Sequence, residues 1–317
     1  MAVAARRRDE GTYPSLTGTT RGPVTDVPAG GRQAMTGRQR ERRHRRTGAA
    51  LAAAGAVAGA VLGAGGCSGG DAVAGDSRGG DAVLVLRRAA DRLVDAGSSK
   101  ARTSMEMAAG GTRVTIRGAG VYDYRKRLGQ LKVLLPQDPA GAAERRPITE
   151  LLAPGALFMK NRGAGVPPDK WVRVDTRTLS DGNLVTGGAT DPYAAAEVLR
   201  GTRSATYLGR TEVAGTGVRH YRGTADLGDA ARRASDGNAE SLGAAAKGFA
   251  TAEVPFDAYL DDEGRIRKVR HRFSFLNGQQ KSPVAVASTT LLYDFGASVR
   301  VRLPDDGDIY AGKIAEE

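Results

Sequence analysis

Between residues 102 and 296 the chain is a succession of runs in which apolar and polar residues alternate, each broken by a Gly, Asp or Pro turn signal. A period of two belongs to a strand that turns one face to a core, and it restricts the fold more than any other feature here. In RTSMEMAAGGTRVTIRGAGVYDY, two such runs meet at Gly110-Gly111, a hairpin signal. Val114, Ile116, Gly118, Gly120, Tyr122 and Tyr124 share one face, with Arg113, Thr115 and Arg117 on the other. RLGQLKVLLP aligns Leu131, Val133 and Leu135, and ITELLAPGALFMKN breaks at Pro154-Gly155. KWVRVDTRTL sets Val172 and Val174 against Trp171, Arg173 and Asp175.

Two further hairpins follow, one turning at Gly215-Thr216-Gly217 and one at Asp261 to Gly264. The second places Val254, Phe256, Ala258 and Leu260 along one strand and Val269, Phe273 and Phe275 along the next. Val284 to Gly296 reads as a last long strand. About ten strands at hairpin spacing predict a mainly β, α+β domain built on a large, bent antiparallel sheet.

Helical patterns are few. DAVLVLRRAADRLVDAG, with Val83, Leu86, Ala90 and Leu93 at three- and four-residue spacing, predicts one amphipathic helix capped by Asp81 and stopped by Gly97. Asp191 to Gly201 predicts a short helix with Asp191 as its cap and Pro192 in its first turn. Asp229 to Ala250, rich in alanine, reads as partly helical.

The N-terminal part is of another kind. Residues 1–66 hold eleven arginines, no lysine and four acids, a net charge of +7, which leaves +5 for the other 251 residues. Most of the overall +12 is therefore upstream of Cys67, and a nucleic-acid partner is not expected. MTGRQRERRHRRTG is followed by fourteen uncharged residues, Ala49 to Leu62, and then by small ones. A basic segment, a short apolar segment and a small-residue zone describe a secretory signal at 35–66. The apolar segment is short of the roughly 20 residues that span a bilayer. Residues 1–34, rich in Pro, Gly and Thr, read as an unstructured extension ahead of a true start at Met35. Arg45-Arg46 meets Gly48 where a twin-arginine signal has a bulky apolar residue.

The chain's one cysteine, Cys67, follows Ala64, Gly65 and Gly66. This resembles a bacterial lipobox, with Ala64 in the usual leucine position, and makes Cys67 the expected lipidation site. Two or three acyl chains, at about 0.8 kcal/mol per buried CH₂, hold a protein firmly on a membrane. A non-lipidated signal with an incidental cysteine is the competing reading. Residues 67–80, dominated by Gly, Ser and Asp, read as a flexible tether of roughly 20 Å, and residues 81–317 as a single domain.

Groups for catalysis are missing. A single cysteine and three scattered histidines give no metal or redox spacing. His220 and His271 read as partly exposed strand residues, and Asp261-Asp262 and Asp305-Asp306 as turn residues that bond local backbone. No enzyme activity, cofactor or metal is expected. Aromatic residues make up only 5% of the chain, whereas glycine supplies 44 positions. A half-barrel lined by modest apolar side chains leaves room for a ligand, although an ordinary filled core has the same periodicity.

Three stretches carry a family resemblance: LFMKN to DKWVRVD (Leu157–Asp175), YLGRTEVAGTGVRHYRGTADL (Tyr207–Leu227) and AYLDDEGRIRKVRHRF (Ala258–Phe273). With the lipobox, tether and first helix, they resemble the LolA-like lipoprotein-carrier superfamily, in particular the actinobacterial LppX/LprG group. The resemblance implies a strongly curved, unclosed antiparallel sheet with helices covering its concave face. It also implies an extracytoplasmic, monomeric lipoprotein on the outer leaflet of the cytoplasmic membrane, binding a lipid or acylated ligand in a cavity. Leu131, Val133, Leu135, Phe158, Phe256, Phe273, Phe275, Leu291 and Tyr293 are the candidate cavity lining. The same fold would also serve an envelope sensor that engages a membrane protein and transports no lipid. Asp229 to Ala250 and Gln137 to Arg146 depart from the pattern, and either could fill or gate the cavity.

Overall fold

In the computed structural model the described residues are 80–109, 112–136, 146–163, 165–276 and 283–312, all within one unit spanning 65–317. Cys67 and the expected signal segment lie outside them, as does nearly all of the expected tether, residues 67–79. Eleven strands form one antiparallel sheet: β1 (Ser98–Ala109), β2 (Thr112–Asp123), β3 (Leu128–Leu134), β4 (Ile148–Ala153), β5 (Ala156–Lys160), β6 (Val172–Asp175), β7 (Thr202–Val213), β8 (Thr216–Asp226), β9 (Glu253–Leu260), β10 (Ile266–Leu276) and β11 (Pro283–Tyr293). Their spatial order is β6-β5-β4-β3-β2-β1-β11-β10-β9-β8-β7. The sheet is thus two meanders joined at the centre, where β1 pairs with β11 from Lys100↔Tyr293 to Ala108↔Ala285. β6 and β7 are its two edges, and the sheet is open.

This order forces the chain to cross from one edge to the other between β6 and β7. The crossing contains a short 3₁₀ turn (Thr176–Thr178), a loop and α2 (Pro192–Val198). As expected, Asp191 caps α2, its Oδ1 accepting from the amides of Tyr193 and Ala194, with Pro192 at the first position. Between β8 and β9 lie α3 (Leu227–Arg233) and α4 (Asn238–Gly248), which account for most of the alanine-rich insert. α3 starts at the end of β8, and its Ala230 abuts Gly201 beside edge strand β7. At the other end, Ser241 of α4 shares a 2.8 Å hydrogen bond with Thr176, just beyond edge strand β6.

Residues 227–248 would reach about 33 Å even as one straight helix. A flat eleven-stranded sheet would hold its edges about 48 Å apart. The sheet therefore curls around the helices, and they cover its concave face. The first helix, residues 80–87 continuing after a turn at Arg88 as α1 (Ala89–Ala96), adds Leu86, Ala90 and Leu93 to the same interior, all fully buried. Gly97 ends it with φ 83°. Asp81 is already helical, so it does not serve as the cap.

Two other expectations are corrected. The β7–β8 turn is Ala214-Gly215, both with positive φ (48° and 77°), one residue earlier than predicted. A two-residue turn of this hand matches the twist of the strands it joins. His271 is buried, at 1% exposure, rather than partly exposed. It shares the inward face of β10 with Val269 and Phe273, while Arg270 and Arg272 turn outward to Glu106 and Asp257. Asp261 behaves as the turn residue expected: it accepts from the Arg265 amide at 2.8 Å and from the Arg265 and Arg267 guanidiniums at 2.9 Å.

At the centre of the sheet the backbone comes too close for a side chain. A Cβ on Gly120 would overlap the carbonyl oxygen of Gln130 on the neighbouring strand. Gly120→Ala is expected to destabilise the domain by about 3 kcal/mol, seen as a lower urea midpoint. An unchanged midpoint would show that β2 and β3 are not packed this closely.

Candidate functional site

The interior between sheet and cover is the first candidate. One apolar cluster runs from Leu131 and Val133 on β3, through Ala101, Met105, Val284 and Val286, to Phe256, Ala258 and Tyr221, with Tyr193, Leu199, Leu227 and Leu242 on the helical side. Four of the candidate lining residues, Leu131, Val133, Phe256 and Phe273, come together here, and Leu135 packs partly buried against the cluster. Phe273 stacks on Phe249 at the end of α4, ring centroids 5.0 Å apart.

The others are elsewhere. Phe158 faces the outer side of the sheet, where it joins Leu151 and Ala156 under Trp171, Val301, Leu303 and Ile309. Residues 301–309 cover this end of the outer face because the chain docks alongside Trp171, whose amide donates to Asp308 O and whose carbonyl accepts from Tyr310 N, both at 2.8 Å. Leu291 and Tyr293 alternate with inward-facing Thr290 and Leu292 and so look outward. Leu291 lines an outer groove, and Tyr293 lies under the Arg102 guanidinium, 5.0 Å away. The Phe275 side chain is outside the described positions, as are residues 137–145.

The cover of the interior includes a loop the sequence reading did not single out, residues 179–190. It is held by its own side chains. Asp181 accepts from the amides of Asn183, Val185 and Thr186, and Asn183 Oδ1 accepts from the Gly187 amide. Gly182, with φ 56°, lies so close to α4 that a Cβ there would overlap the Ser241 carbonyl. Thr190 donates to Leu184 O and shares a hydrogen bond with Ser288 of β11, pinning the loop to the centre of the sheet.

Under this loop is Glu150, on the inward side of β4 between Ile148 and Leu152. It is fully buried, and neither carboxyl oxygen has a hydrogen-bond partner. Gly187 leaves it space: a Cβ on that glycine would stand 3.4 Å from Oε1. Burial pushes the Glu150 carboxyl up to about 8, with Arg162 pulling the other way and Asp191 adding to the rise. Asp191 is itself raised to about 6 by burial, against the amides of Ala194 and Tyr193 and the Tyr122 hydroxyl. The Tyr122 hydroxyl donates to Asp191 at 3.3 Å, and Tyr122, Tyr124 and Tyr193 form an aromatic group beside it. Thr103 Oγ1 and His271 Nε2 are also buried without a partner. In His271 burial alone lowers the imidazole to about 3.

The chemistry of such an interior is hydrogen bonding in apolar surroundings. A neutral carboxyl at Glu150 can donate one proton to a hydrogen bond and accept others. Among the described residues no group of three or more His, Cys, Asp or Glu gathers to hold a metal, and no helix is long and apolar enough to cross a membrane. Glu150 escaped the sequence reading although ITELLA alternates it with Ile148 and Leu152. A charged residue in phase with two core residues is the signal that could have found it.

No family profile matches the sequence, and no curated protein matches it. Solved structures similar to the chain include the lipoprotein LppX of Mycobacterium tuberculosis, at 9% identity and TM-score 0.42, covering 70% of this chain and 99% of that one. LprF of Mycobacterium bovis is similar at 13% identity and TM-score 0.36, over 71% and 97% of the two chains. The LolA-superfamily protein NE2245 of Nitrosomonas europaea is similar at 12% identity and TM-score 0.32, over 72% and 97%. At these identities the likeness concerns fold alone. The architecture common to the sequence expectation and the structure is an open antiparallel sheet with helices on its inner face.

Proposed function

We propose that this protein is a non-catalytic, extracytoplasmic lipoprotein that holds a lipid or acylated ligand between the concave face of its sheet and the helical cover. Acyl chains on Cys67 would fix it to the outer leaflet of the cytoplasmic membrane, and its role would be that of a carrier or chaperone in envelope transport. The observation that supports this reading is the construction of the cover. It consists of one chain crossing, two short helices and the first helix, attached to the sheet by isolated hydrogen bonds such as Thr190–Ser288 and Tyr122–Asp191, with Thr176–Ser241 tying the crossing to α4 within the cover. Cover and sheet can separate to admit an apolar chain without breaking a hydrogen bond between strands. Glu150 then supplies a polar contact for the ligand within a mainly apolar interior.

The test is a native mass spectrum of residues 68–317, exported without Cys67. The expected result is additional mass that disappears on organic extraction and matches a lipid. A clean unliganded mass, unchanged after incubation with membrane lipids, would refute lipid binding. Anchoring is checked separately: Cys67→Ala should move the protein from the membrane fraction to the soluble fraction, and an unchanged distribution would remove Cys67 as the anchor.

A further inference from the structure

The outer, convex face of the sheet carries an arrangement of charge that strand register creates and the interior site does not use. Following the pairing across the sheet gives one continuous row: Lys268 on β10, Leu291 on β11, Arg102 on β1, Ala119 on β2, Lys132 on β3, Thr149 on β4 and Lys160 on β5. A cation occupies every second strand, so the positive charges recur about every 10 Å. In the adjoining row Arg117 stands opposite Leu134.

Three acids on this face are already engaged, while Asp123 and Glu253, without an ion pair among the described residues, stand at the ends of β2 and β9, four and six residues along from the row. Glu106 meets Arg270 at 3.4 Å, and Asp294 meets Lys100 at 2.9 Å. Asp257 is ringed by His220, Arg222 and Arg272, which hold it down to about 2 even though burial opposes them. Arg102, Arg117 and Lys132, by contrast, are exposed and have no acidic partner within 4 Å among the described residues. Between them lies a groove of about 530 Å³ whose lining includes Leu134, Leu291 and Pro147. Leu134 is 55% exposed, unusual for a leucine on a strand.

We infer that this convex face docks onto an anionic bilayer surface, with Arg102, Arg117 and Lys132 taking lipid phosphates and the groove between them receiving the apolar part of a lipid. Charge complementarity selects this occupant: the cations are in surplus, regularly spaced and interleaved with small or apolar residues rather than with acids. Curvature agrees with it, because a convex sheet meets a flat surface at its central strands, and these three residues are on β1, β2 and β3. The inference rests on the outer face alone and is independent of the interior ligand and of acylation.

The experiment uses the full chain carrying Cys67→Ala, so that no acyl anchor contributes. Binding is measured to vesicles of equal parts phosphatidylglycerol and phosphatidylcholine, and to phosphatidylcholine vesicles. The variant Arg102→Glu/Arg117→Glu/Lys132→Glu is compared with Lys126→Glu/Lys247→Glu/Arg302→Glu, which changes net charge equally away from the groove and keeps the same basic N-terminal residues. Loss of three surface cations is expected to lower affinity for the anionic vesicles about 100-fold, with only a few-fold loss in the control and little binding to the neutral vesicles. Equal losses in both variants, or no loss in the first, would overturn the proposal. So would equal competition by a short DNA duplex that the first variant also fails to bind, which would mark a general polyanion surface. If the glutamate variant misfolds by circular dichroism, the corresponding glutamine variant, which removes the same three cations, is read against the same outcomes.

Discussion

Replacing His271 with phenylalanine is expected to abolish an acid-side loss of stability of about 5 kcal/mol. In the folded protein burial holds this imidazole neutral and lowers it from 6.5 to about 3. A depressed folded-state value means that the unfolded chain takes up the proton first. The contribution of His271 is thus full above pH 6.5 and falls as the pH drops from 6.5 towards 3, by about 1.4 kcal/mol for each pH unit. At pH 5 the loss is about 2 kcal/mol. Phenylalanine does not titrate, and it enters an aromatic setting, with Phe273 stacked at 5.8 Å and Phe256 edge-on at 6.5 Å. Because Glu150 titrates in the opposite sense in both proteins, the urea midpoint should rise from pH 8 to pH 5 by less in the native protein than in the His271→Phe variant, the two differing by about 2 kcal/mol. Parallel curves for the two proteins would mean that His271 is not held neutral in the interior.

Glu150→Gln is expected to act in the opposite direction. The Glu150 carboxyl rises from 4.5 to about 8 on folding, so the folded state keeps its proton over a range where the unfolded chain has released it. Its contribution is full below pH 4.5 and is lost as the pH climbs towards 8, a cost of about 3 kcal/mol at pH 7. Glutamine keeps the shape and stays neutral. The variant should gain about 3 kcal/mol relative to the native protein between pH 4 and pH 7, read from the same midpoints. No difference between those pH values would place Glu150 in contact with solvent or a cation. The two groups also conceal each other. Between pH 4.5 and 6.5 their slopes oppose and nearly cancel, so each single variant should reveal the titration of the other, and the double variant should be flatter than either.

The places where sequence reasoning succeeded and failed have a common physical origin. Turn chemistry and side-chain alternation are local, so the hairpins of β1–β2, β7–β8 and β9–β10, the cap at Asp191 and the clamp at Asp261 follow from short stretches. Choosing the inward face is less local. In β11 the run VAVASTTLLYDFG has apolar residues in both phases, and the structure turns Val284, Val286 and Leu292 inward with Ser288 and Thr290 between them. The Ser288 hydroxyl can face the core because it meets Thr190 of the crossing loop, a partner about a hundred residues away, whereas Thr290 Oγ1 is buried there without a partner. Leu291 and Tyr293 are displaced to the outer face for the same reason. Phe158 is buried on that outer face only because residues 301–309 return to cover it.

By itself, then, the sequence determined the elements: the strands, most of their turns, the short helices and the mainly β, antiparallel character of the domain. A period of two, or a capping aspartate, acts within a few residues. The tertiary structure decided which edges stay open, where the chain crosses the concave face, that Glu150 and His271 are sealed inside, and that Lys268, Arg102, Lys132 and Lys160 fall into one row. Each of these depends on pairing between distant segments. A shift of one residue between two strands would send the same side chains to the opposite face.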